Sequence, residues 1–132
     1  NMTDHKPHIL IIEDDPYILR VYERKFQQEG FQITTARDGA DGVEKLKPDL
    51  PDVILLDLVM PKKDGFEFIR DLKRLYPHKT IPVVVLTNLG QEHDVQRAEH
   101  LGISSYLLKS NMSIQDVFER VRDTLQTGKS KA

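Results

Sequence analysis

Four short apolar runs constrain the fold of this chain more than any other feature: Ile9 to Ile12, Val53 to Leu56, Val83 to Leu86 and Tyr106 to Leu108. The first three are continuous rather than alternating, the pattern of strands buried on both faces of a parallel sheet. Each stops at a reactive polar group: the first at Glu13-Asp14-Asp15, the second at Asp57, the third at Thr87, the fourth at Lys109. In a parallel sheet all strand ends of one polarity share an edge, and open α/β sheets bind ligands there. Carboxylates, a hydroxyl and an ammonium are therefore expected to meet in one crevice.

The segments between the runs read mostly as helices. Asp15-Pro16 supplies an N-cap and a first-turn proline, and Ile18, Leu19, Tyr22 and Phe26 share a helical face until Gly30. Phe31, Ile33 and Thr35 alternate with polar residues, as in a half-buried edge strand, and Ala40, Val43 and Leu46 predict a short helix before the breaker segment Lys47 to Pro51. After Asp57 comes a loop with Pro61 and Gly65, then a helix carrying Phe66, Ile69, Leu72 and Tyr76 as far as Pro77. Gln91 to Leu101 has only Val95, Ala98 and Leu101 as apolar anchors, so its helix is expected to be thinly held until Gly102 ends it. Ser113 and Asp116 form a capping box for a last helix with Ile114, Val117, Phe118, Val121 and Leu125. Five strands alternating with five helices predict a single three-layer α/β/α sandwich. Strands one, three and four inside and the alternating strand two at an edge match the order 2-1-3-4-5 known for doubly wound sheets, whose switch point would lie between Asp14 and Asp57.

A chain of 132 residues, 39% hydrophobic and 30% charged, fits one domain, expected over residues 9–126. Residues 1–8 read as a lead, with Asn1 ahead of Met2 as a tag scar, and 127–132 as a flexible tail or the start of a linker. A formal charge of -2 exerts no general pull toward nucleic acid or a membrane, and Lys62-Lys63 and Lys129 to Lys131 are too short to argue for either. Cysteine is absent, which excludes disulfides and thiolate chemistry, and no run has the length of a signal or membrane segment, so a cytoplasmic location is expected. His5, His8, His78, His93 and His100 are read as surface residues.

Carboxylates within about 4 Å repel by roughly 4 kcal/mol per pair at an effective dielectric near 20, so crowding them requires a cation. A hard divalent ion such as Mg²⁺ suits oxygen ligands, with Asp14 and Asp57 as direct ligands and Glu13 reaching it through water. Asp57 would keep one oxygen free to attack phosphorus and form an acyl phosphate, while Lys109 and Thr87 neutralise the other phosphoryl oxygens.

Glu13-Asp14-Asp15-Pro16, Leu56-Asp57-Leu58-Val59-Met60-Pro61, Gly65, Leu86-Thr87-Asn88 and Tyr106-Leu107-Leu108-Lys109 together resemble the receiver domain of two-component response regulators, over about Ile9 to Leu125. The resemblance implies a flavodoxin-like fold and phosphotransfer to Asp57 from a sensor histidine kinase or a histidine phosphotransfer protein. It implies Mg²⁺ held by Asp14, Asp57 and the Val59 backbone carbonyl, and Thr87 with Tyr106 as a switch pair acting on a downstream protein or output domain. A phosphorylation-dependent homodimer is compatible with it; direct nucleic-acid binding, membrane association and enzymatic turnover beyond slow autodephosphorylation are not expected. Ser110 stands where members of that family usually carry proline, yet Lys109 is expected to reach the site. Val59 and Leu89 are apolar, which predicts a longer-lived phosphoryl group by exclusion of attacking water.

Plainer readings stand beside these. Asp15 is read as a helix cap, Asp52 and Asp64 as turn residues, and Tyr106 either as a packing aromatic or as the switch. A phosphatase of the haloacid dehalogenase type would need a second aspartate at the position of Val59. A flavin-binding domain would need a hydroxyl- and glycine-rich loop where Glu13-Asp14-Asp15 stands. A degenerate receiver used only for docking is disfavoured because every expected site residue type is present.

Overall fold

A computed structural model describes residues 6–130; the scar, most of the lead and the last two tail residues lie outside the described residues. Five parallel strands, β1 (His8–Ile12), β2 (Gln32–Ala36), β3 (Val53–Leu56), β4 (Val83–Thr87) and β5 (Ser105–Leu108), form one sheet in the order β2-β1-β3-β4-β5. The expected order therefore holds. β1, β3 and β4, which carry the continuous apolar runs, are central and buried along their whole length, because both faces of each are covered.

Alternate side chains of those strands feed two cores. Ile9, Ile11, Val53, Leu55, Val84 and Leu86 meet Leu19, Tyr22 and Phe26 of α1 (Pro16–Gln28) and Val117, Phe118 and Val121 of α5 (Ile114–Ser130). Leu10, Ile12, Ile54, Leu56, Val83 and Val85 meet Leu46 at the end of α2 (Gly39–Lys45), Phe66 to Leu72 of α3 (Gly65–Leu75) and Ala98 of α4 (Glu92–His100). Phe26 and Phe68 are fully enclosed, one in each core, and each such burial contributes about 2–3 kcal/mol. Asp15 caps α1 as the sequence suggests, its Oδ1 accepting from the Tyr17 and Ile18 amides at 2.9 and 3.3 Å. Gly30 and Gly102 end α1 and α4 at φ values of 88° and 85°. As expected, α4 is thinly anchored: only Ala98 and Asp94 are buried, and the Arg97 guanidinium rests 3.9 Å from the centroid of the Phe66 ring.

Three expectations are corrected. Ala40 is exposed; α2 turns Gly39 and Gly42 inward instead, because a Cβ at Gly42 would lie 2.7 Å from Ile12 Cδ1 and 3.1 Å from the Phe68 ring. His8 is not a surface residue of the lead: it opens β1, is buried, and its ring Nε2 is 2.7 Å from Thr34 Oγ1. The tail begins as helix, since α5 runs to Ser130 and the Thr127 hydroxyl donates to the Asp123 carbonyl at 2.9 Å.

Candidate functional site

Strand register brings the site together. Ile12 pairs with Leu56 and Leu56 with Val85, while Thr87 pairs with Leu108, so the residues that follow these strands emerge on one edge. The Asp57 amide donates to the Ile12 carbonyl at 3.0 Å, extending the ladder and setting Asp57 beside Glu13. A cleft at this edge is lined by Glu13, Asp14, Asp57, Val59, Thr87 and Lys109, the residues expected there, together with Leu89. Asn88 and Ile18 line it too, and the sequence marked neither as a site residue. Ile18 keeps a helical period and Asn88 reads as an ordinary polar residue after a strand.

The charges are closely spaced. Lys109 Nζ lies 2.6 Å from Glu13 Oε1 and donates to Asp57 Oδ2 at 2.8 Å, so the ammonium reaches the cleft with serine, not proline, following it. Among the described residues no peptide bond is cis, and a 3₁₀ turn over Lys109–Asn111 carries the chain onward. The other Asp57 oxygen, Oδ1, accepts from the Val59 amide at 3.2 Å. Glu13 Oε2 accepts from the Asp15 amide at 3.1 Å. Carboxylate oxygens of Glu13, Asp14 and Asp57 all lie within 4.8 Å of one another, a grouping able to hold a metal ion. Glu13 and Asp57 are buried and Asp14 is half-buried, so the cluster opens to solvent on the Asp14 side.

Thr87 is wholly buried, and its Oγ1 accepts from the Leu89 amide at 3.3 Å. Tyr106 is half-buried, and its hydroxyl donates to the Leu89 carbonyl. Thr87 and Tyr106 are thus joined through the backbone of Leu89. Val59 projects into solvent at the cleft mouth, 56% exposed.

The model of the response regulator receiver domain family matches residues 9–122. This chain belongs to that family. It is similar to the DNA-binding dual master transcriptional regulator RpaA of Synechocystis, 37% identical over 120 residues that make up 91% of this chain and 49% of that protein. In fold it is similar to the CheY-like response regulator receiver domain protein of Methanospirillum hungatei, with a TM-score of 0.88 at 20% identity, covering 97% of this chain and 100% of the other. The phosphorylated cyanobacterial phytochrome response regulator RcpA matches at a TM-score of 0.78 and 29% identity, over 97% of each chain. The receiver spans 49% of RpaA and 27% of the Escherichia coli transcriptional regulatory protein GlrR, both longer proteins.

Burial and pairing pull against each other in this receiver's cleft. Burial pushes the Glu13 carboxyl above the usual range, the Asp57 charge adding to it, while hydrogen bonds from Lys109 and the Asp15 amide oppose the rise. Burial alone would lower the Lys109 ammonium, but its bonds to Asp57 and Glu13 outweigh that and hold it above the ordinary lysine value. The cleft therefore holds a fixed cation against carboxylates that want one. No helix among the described residues of the receiver is long and apolar enough to cross a membrane.

Proposed function

We propose that Asp57 is the phosphoacceptor of this receiver, taking a phosphoryl group from a phosphohistidine of a sensor kinase or phosphotransfer protein in a Mg²⁺-dependent reaction. The observation that carries the reading is the asymmetric environment of Asp57. One oxygen is held by the Lys109 ammonium and the other faces the Val59 amide, with oxygens of Glu13 and Asp14 close by. An Asp57 oxygen attacks phosphorus, the P–N bond to the donor imidazole breaks, and the imidazole leaves carrying that electron pair and takes up a proton.

The donor set fits a hard divalent ion, because it is all oxygen and anionic. Asp14, Asp57 and the Val59 carbonyl would hold Mg²⁺ directly and Glu13 through water; bound there, it would neutralise charge on the transferred group. Lys109 and Thr87 then stabilise the remaining phosphoryl oxygens. Thr87 and Tyr106 relay occupancy to the protein surface, the shared link to Leu89 supporting that role. The switched surface acts on a downstream protein or output domain, within the cytoplasm.

Incubation with acetyl phosphate and Mg²⁺, followed by intact mass measurement, tests the proposal. Gain of one phosphoryl group by the native chain, blocked by chelator and absent from Asp57→Ala, is expected. No gain in the native chain, or an equal gain in Asp57→Ala, overturns it.

A further inference from the structure

The loop that joins β3 to α3, residues 57–64, carries Val59 and is anchored in the core by the buried side chains of Leu58 and Met60. Val59 and Pro61 are exposed, and Lys62 takes a left-handed φ of 64°, a conformation unfavourable for a side chain with a Cβ. Backbone contacts at the C-terminal end of the loop add to that anchoring. At its far end the Gly65 amide donates to the Leu58 carbonyl at 3.0 Å, closing the loop on itself.

The second restraint comes from α2. The Gly39 amide donates to the Lys63 carbonyl at 2.9 Å, and a Cβ at Gly39 would lie 2.4 Å from that carbonyl oxygen and 3.0 Å from its carbon. Contact with backbone at that distance cannot be relieved by a side-chain rotation, so any larger residue must push the loop and the first turn of α2 apart. Asp38, the N-cap of α2, fixes the donor: its Oδ1 accepts from the Asp41 amide at 2.7 Å. Lys63 is held from the other side by its ion pair with Asp71 of α3.

We propose that Gly39 is a positioning residue of the metal site: the first turn of α2, by its amide and its missing side chain, fixes the loop conformation in which Val59 meets a bound divalent cation. This rests on the proposed phosphoacceptor reading, since it assumes that the cation binds beside Asp57. Gly42 provides an internal control. It lies on the same helix and the same buried face, but a Cβ there would meet Ile12 and Phe68 side chains rather than the loop.

The test is calorimetric titration of Mg²⁺ into the native chain, Gly39→Ala and Gly42→Ala, at a temperature where circular dichroism shows each folded. Gly39→Ala is expected to weaken Mg²⁺ binding by about tenfold, and Gly42→Ala to leave it within about twofold while lowering the melting temperature. Equal affinity in native and Gly39→Ala protein, or equal losses in the two variants, overturns the proposal. Absence of Mg²⁺ binding by the native chain would sink the phosphoacceptor reading instead.

If Gly39→Ala does not fold, the native chain gives the answer through linkage. A clamp that favours the cation must be favoured by it, so saturating Mg²⁺ should slow hydrogen exchange at the Gly39 amide and not at the Gly42 amide. Unchanged exchange at Gly39 overturns the proposal.

Discussion

The Lys109 ammonium donates to Asp57 Oδ2 at 2.8 Å across 52 residues of sequence, filling with a side-chain cation the place where carboxylates would otherwise repel. Its second contact, to Glu13, makes it the counter-ion of two buried acids. Lys109→Met keeps the stem and removes the charge. Without divalent ions it should lower stability by about 3 kcal/mol, the small end for a broken buried pair because the cluster opens to solvent on the Asp14 side. Added Mg²⁺ should restore more stability to Lys109→Met than to the native chain, since a competing cation is gone, while phosphoryl uptake slows by at least about tenfold. Urea denaturation with and without Mg²⁺ reads the first effect, and the mass assay the second.

Val59 and Leu89 both line the cleft, and neither brings a polar side chain that could orient water toward a phosphoryl group on Asp57. Val59→Asn places such a group at the mouth, where its exposure makes the substitution nearly neutral for folding. Phosphoryl loss should accelerate by several-fold to about tenfold. Timing release of phosphate after removal of the donor measures it, and an unchanged rate would show that water reaches the group by another route.

Much of the site was readable because it is built from strand ends. A short apolar run predicts a strand, and the polar residue that closes it lies at the strand's end, which puts Asp57, Thr87 and Lys109 on one edge of a parallel sheet without any tertiary information. The missed features depend on partners distant in sequence or on side chains that do not exist. His8 is buried because Thr34 and Asp52 meet it from elsewhere in the chain, the His8 amide donating to Asp52 Oδ2 at 2.8 Å. The inward face of α2 is made by glycines, which hydrophobic periodicity cannot register, so the apolar pattern points to Ala40 instead. The extension of α5 past Leu125 is polar and locally hydrogen-bonded, a pattern that composition alone does not separate from coil.

Asp71 of α3 accepts from Lys63 and, at 3.2 Å, from Arg74. The Lys63 hydrogen bond, aided by Arg74, holds its carboxyl below the 3.8 of an unpaired aspartate, partly offset by desolvation. A depressed carboxyl stabilises the fold above its unfolded value and loses that contribution as pH falls through the lower folded value. Because the partners are partly exposed, Asp71→Asn should cost only about 0.5–1 kcal/mol at neutral pH. The gap between native and variant urea midpoints should close as pH falls below the 3.8 of an unpaired aspartate. A gap that persists at the acid end would assign the effect to packing rather than charge.

Lys62 is the non-glycine residue with positive φ among the described residues, at 64°. Its side chain is 77% exposed and its ammonium is 3.9 Å from Asp38, so little is gained there to offset the backbone conformation. Left-handed geometry costs a residue with a Cβ about 1–2 kcal/mol. Glycine escapes that cost but loses roughly 0.5–1 kcal/mol through the greater freedom of its unfolded chain. Lys62→Gly should therefore stabilise the domain by about 0.5 kcal/mol, whereas Lys62→Ala keeps the steric cost and gains nothing. A β-branched residue is worse still at this geometry, so Lys62→Val should be the least stable of the three. The urea midpoints should fall in the order glycine, alanine, valine. Equal midpoints for glycine and alanine would mean that the loop relaxes out of the left-handed region once the lysine is removed.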